Sequence, residues 1–241
     1  MSKLKVPSLQ HLARNWKKNP DHIKRLLVDL VKNSPTFSYD PLFGAIRDML
    51  VFAHPYEQIE EGLRRGIKRA DVRDNLLGVL PLIRDHFKDI APDYVQSVDR
   101  RYYSVGRGLM VPFEPPLVYG LDGQTFFPWF SFWRSYPLAG ERLSLFVTLV
   151  DELLREDPDL EMAKFEILDF SAPNSKSKRE LKVIAATDIP RLDEARVSEM
   201  LATFAEGYFQ ALSELSTRPV AKAEKEDRET RDDPDQPGLF D

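Results

Sequence analysis

Along the first ninety residues, apolar positions recur three and four apart, the spacing that gathers one helical face. Asn19-Pro20-Asp21 has the form of a helix start, and Ile23, Leu26, Leu27, Leu30 and Val31 follow as its apolar stripe. Asp40-Pro41 opens a second pattern through Ile46, Met49 and Leu50, and Pro55 a third, more charged one through Ile59 and Leu63. A fourth runs Val72, Leu76, Leu80, Ile83 and Phe87, with Gly78 and Pro81 inside it. Proline removes a backbone donor and crowds the preceding turn, so this helix is expected to kink or split. The segment predicts a bundle of four or five helices.

From Arg101 the period shortens. Aromatic and β-branched runs at 102–105, 109–113, 117–119 and 125–132 are cut by Gly and Pro, with 121–124 as a turn, and read as an antiparallel meander. An amphipathic helix with Leu145, Phe146, Leu149, Val150 and Leu153 on one face stops at Asp157-Pro158. Strands at 164–170 and 180–187 flank a polar loop, 171–179, and are expected to pair as a hairpin. A long helix from Leu192 to about Leu215 then carries the stripe Val197, Met200, Leu201, Phe204, Tyr208, Leu212 and Leu215. This order predicts an α+β fold: helical bundle over 1–99, and an antiparallel sheet packed with two helices over 100–216. Residues 217–235 hold almost nothing apolar, mix both charges densely and include Pro219 and Pro234. Such a composition cannot offset the entropy of ordering, so 217–241 is expected to be a disordered tail.

Composition mostly excludes. The 241 residues contain no cysteine, which removes disulfides, thiol nucleophiles and every cysteine-ligated metal centre. The longest charge-free stretch, 123–133, is far shorter than a bilayer span, and residues 1–5 lack a signal-peptide core, so a cytoplasmic protein without a membrane partner is expected. Lys and Arg number 16 against 13 acids in 1–99, but 13 against 18 in 100–216, too balanced for a broad nucleic-acid face. Small basic clusters, Lys17-Lys18 and Arg64-Arg65 with Lys68-Arg69, sit among acids and read as solvated helix faces more readily than as DNA contacts.

One motif has a destination. The chain carries Gln236-Pro237-Gly238-Leu239-Phe240-Asp241, two large apolar side chains beyond a polar segment. This resembles the Gln-x-x-Leu-Phe peptide by which bacterial DNA replication and repair proteins dock on the ring-shaped sliding clamp. The resemblance implies that Gln236 makes polar contacts while Leu239 and Phe240 fill a hydrophobic pocket. In place of the leucine usual after the glutamine this chain has Pro237, and Gly238 follows. A coil over 217–235 would reach about 25 Å. The expectation is a non-catalytic, DNA-associated accessory or adaptor protein without metal or cofactor.

Two other classes stand beside it. Asp169 followed ten residues later by Glu180-Leu181-Lys182 resembles the Asp…Glu-x-Lys signature of restriction-endonuclease-like nucleases, which implies two carboxylates on a divalent metal and a lysine at the scissile phosphate. Against it, Glu180 follows a polar run, and the ordinary alternative is a solvated hairpin with an exposed ion pair. Seven aromatic residues between Phe126 and Tyr136 could form a base-stacking or protein-binding face, though core packing is the commoner outcome. The four histidines, His11, His22, His54 and His86, have no metal-site spacing.

Overall fold

A computed structural model describes residues 4–33, 38–134, 137–174 and 177–217. Five helices come first: α1 (Leu9–Asn15), α2 (Pro20–Lys32), α3 (Asp40–Leu50), α4 (Tyr56–Gly66) and α5 (Ala70–Phe87). Asn19 caps α2 as its sequence predicts, its side-chain oxygen accepting the Asp21 N–H at 2.8 Å. Helix α5 is not split at Pro81 but runs through it, because Leu76, Val79, Leu80 and Ile83 are buried on both sides of the proline and hold one helix in place.

The strands and remaining helices are β1 (Tyr94–Gln96), β2 (Arg101–Gly106), β3 (Leu109–Phe113), β4 (Val118–Leu121), β5 (Gln124–Ser131), α6 (Glu141–Arg155), β6 (Lys164–Asp169), β7 (Lys182–Ala185) and α7 (Glu194–Thr217). The fold is α+β. Strands β2 and β3 form their own ribbon, and the others form a five-stranded sheet ordered β1-β4-β5-β6-β7. Between β4 and β5, Asp122 and Gly123 both take positive φ, 51° and 75°, the geometry of a two-residue hairpin turn. Strands β6 and β7 pair antiparallel, as the polar loop between them predicts. The pair β5–β6 departs from a meander: it runs parallel from Phe126 opposite Lys164 to Ser131 opposite Asp169, with α6 as the crossover.

Alternation along the sheet divides the interior in two. Phe127 and Trp129 on β5, with Phe165 and Ile167 on β6, enter a core shared with α1, α2, α6, α7 and the β2–β3 ribbon. Phe130 and Leu168, with Phe132 and Phe170 just past the strand ends, enter a second core under α3, α4 and α5. The first two helices of the chain therefore pack with its last two, across the sheet from α3–α5. Trp16 fastens this arrangement by donating its indole N–H to the Met200 carbonyl at 3.1 Å.

Candidate functional site

The parallel pair ends in a polar row. Register puts Ser131, Asp169 and Lys182 side by side across β5, β6 and β7. Asp169 is buried and accepts hydrogen bonds from the Ser171 backbone N–H at 3.2 Å and its hydroxyl at 3.0 Å. Burial pushes its pKa up, and the bonds from Ser171 partly offset that. Ser131 lies close enough to favour the charged form without completing a hydrogen bond. Of the nuclease-like residues, Asp169 and Lys182 are brought together, whereas Glu180 precedes β7 and is exposed. Among the described residues no three His, Cys, Asp or Glu side chains converge to hold a metal ion.

Arg179 ties this end of the sheet to the helices. Its Nη1 donates to the carbonyls of Phe132, Trp133 and Phe170 at 2.9, 3.0 and 3.0 Å, and its Nη2 donates to Asn75 Oδ1 on α5 at 2.6 Å. Asn75 in turn donates to the Tyr39 hydroxyl at 3.4 Å. Chain leaving β5 and β6 is thereby fixed against both α5 and the residue preceding α3.

Beside that strut opens a cleft of about 530 Å³, between α1, the start of α3, the segment 114–117 and the end of β5. Ser8 precedes α1, yet its hydroxyl does not cap the helix; it bonds His11 Nδ1 at 2.7 Å. The other ring nitrogen, Nε2, is buried without a partner. Burial, with the Arg14 charge adding to it, holds the His11 pKa down to about 3, so the imidazole is neutral near pH 7. His11 meets Trp133 edge-on at 6.0 Å, and Arg14 lies over the same ring at 4.2 Å. Farther along the wall, Phe43 is edge-on to Phe130 at 5.9 Å and to Phe132 at 5.3 Å, while Tyr39 is tilted against Phe132 at 5.6 Å.

These contacts settle the aromatic run. Trp129 and Trp133 are buried, and the rings from Phe126 to Trp133 mostly pack in the two cores; Tyr136 lies outside the described residues. A histidine set aside for want of metal spacing instead lines the cleft. Its signal in the sequence, Ser8 and His11 one helical turn apart, is too common to single out. The basic clusters on α4 and beside it meet their own acids: Arg64 bonds Glu60 at 2.5 Å, Arg65 pairs with Glu61, and Arg69 bonds Asp71 at 2.6 Å. Gln236, Leu239 and Phe240 lie outside the described residues, as does the whole of 218–241. Compared with known proteins, the chain matches no family model and no curated relative.

Proposed function

We propose that this chain is a non-catalytic, DNA-associated accessory or adaptor protein of the cytoplasm, tethered to the bacterial sliding clamp by Gln236, Leu239 and Phe240. One observation carries the reading: a glutamine followed at the third and fourth positions by leucine and phenylalanine, 19 residues beyond the last residue of α7. Burying Leu239 and Phe240 contributes about 1.5–3 kcal/mol each. A micromolar complex requires about 8 kcal/mol, so Gln236 and backbone hydrogen bonds supply the remainder and the tether exchanges readily.

Calorimetric titration of purified clamp with the full chain tests this. Binding in the micromolar range is expected, lost on removing residues 236–241 and weakened at least about tenfold by Phe240→Ala. These changes lie beyond α7, so the circular dichroism of the body serves as the folding control. Equal affinity for the intact and shortened chains removes the proposal.

A further inference from the structure

We propose that a basic hollow between the α1–α2 link and the start of α6 holds a phosphate group of a DNA backbone. The inference deepens the reading of a DNA-associated body by naming the surface that meets DNA, and it rests on that reading for the source of the phosphate. Lys17 and Lys18 lie not on a helix face but in the link between Asn15, the last residue of α1, and Pro20, the first of α2. With Trp16, Ala139, Glu141 and Arg142 they line a hollow of about 250 Å³. Folding thus brings Arg142 to a lysine pair far from it in the sequence.

Charge and placement point to an anion. Among the described residues Lys17, Lys18 and Arg142 form no ion pair, whereas Arg64, Arg65, Arg69 and Arg84 each engage an acid close by in the chain. The acid in the lining, Glu141, is already held, its Oε1 accepting from Arg196 Nε at 2.7 Å. The surroundings are also fixed. Arg142 Nη1 donates to the Arg14 carbonyl at 3.0 Å, and the indole of Trp16 is anchored to the Met200 carbonyl at 3.1 Å. Three like charges left uncompensated around one hollow repel one another and favour an anion between them. A phosphate offers each of them an oxygen for a charge-assisted hydrogen bond. Among the described residues the lining includes no amide or hydroxyl side chain to read base edges, so the contact is with the backbone and independent of sequence.

Fluorescence anisotropy of a labelled DNA duplex of about 20 base pairs, titrated with the full chain at several salt concentrations, tests the assignment. Neutralising three phosphates makes the logarithm of the binding constant fall with the logarithm of salt concentration at a slope of about −2.7. The double variant Lys17→Gln, Lys18→Gln, at two exposed positions, is expected to weaken binding at least about tenfold at about 50 mM salt and to flatten the slope by about 1.8. The double variant Arg64→Gln, Arg65→Gln removes the same charge from cations already paired and is expected to change affinity less than about twofold. Thermal melting checks the folding of both. Absence of duplex binding by the wild type overturns the proposal, as does wild-type affinity in a folded lysine variant, an equal loss in the arginine variant, or equal affinity for poly-glutamate of matched charge. Saturable binding of inorganic phosphate without binding of the duplex removes DNA as the source and overturns it likewise. A chain lacking residues 236–241 is expected to bind the duplex unchanged, and the lysine variant to titrate the clamp unchanged, so failure here and failure of the clamp reading are separate results.

Discussion

The two faces of the five-stranded sheet are covered by the same kind of element, both with fully buried cores, and their helices use glycine differently. On one face α2 and α7 approach so closely that a Cβ added at Gly207 would stand 2.7 Å from Ile23 Cβ and from the Pro20 carbonyl oxygen. On the other, α3, α4 and α5 each carry a glycine, Gly44, Gly62 and Gly78, on the solvent side of the helix, with nothing within 4 Å of an added Cβ. The same residue type therefore does opposite things. At Gly207 its missing side chain lets two helices touch, whereas in α3–α5 it only weakens helix propensity.

Four measurements would break or sharpen this contrast. Phe146 is fully buried in the core on the α2–α7 side, in ring contact with Phe113, Trp129 and Phe165, and Phe146→Ala is expected to cost about 3–5 kcal/mol in urea unfolding. A loss under about 1 kcal/mol would mean that this face can collapse around a void. The second concerns acid. Unfolded histidine binds a proton near pH 6.5, while His11 resists until about 3, so the stability tied to it is complete above 6.5 and is lost as the pH falls toward 3. Wild type is expected to lose up to about 1.4 kcal/mol per pH unit more than His11→Gln across that window; parallel pH profiles would refute it.

The glycines supply the third and fourth tests, with opposite signs. Gly207→Ala is expected to destabilise by about 1–3 kcal/mol through overpacking against Ile23 and the Pro20 carbonyl. Gly44→Ala, in the open interior of α3, is expected to stabilise by about 0.5–1 kcal/mol. Matching signs in chemical denaturation would end the distinction between the glycine at a helix contact and the glycine facing solvent.

What could be read in advance follows the range of the interactions involved. Helices α2 to α7 were legible because each carries its own apolar stripe, and the β6–β7 hairpin because a polar loop punctuates two strands. The seven-residue α1 and three-residue β1 are too short to display a period, and both depend on distant partners. Strand β1 is held by β4, Tyr94 opposite Gly120. The parallel register of β5 and β6 was likewise hidden, since periodicity reports which face a residue takes but not the direction of its neighbour. The cleft had no linear signature at all: His11, Phe43 and Ser131 meet only after the sheet has formed. For Asp169, spacing pointed to Glu180 and Lys182. The fold keeps the lysine and adds Ser131 and Ser171, neighbours that a motif search along one hairpin does not weigh together.

The union of α2 with α7 also bears on how the molecule is made. Ile23 and Leu27 leave the ribosome well before Met200 and Tyr208, their companions in the tight core. At roughly 5–20 residues per second, the stripe on α2 waits about 10–40 s for its cover. During synthesis the apolar stripe of α2 is thus left without its native cover, and slower translation upstream of α7 would be expected to raise the fraction lost to aggregation.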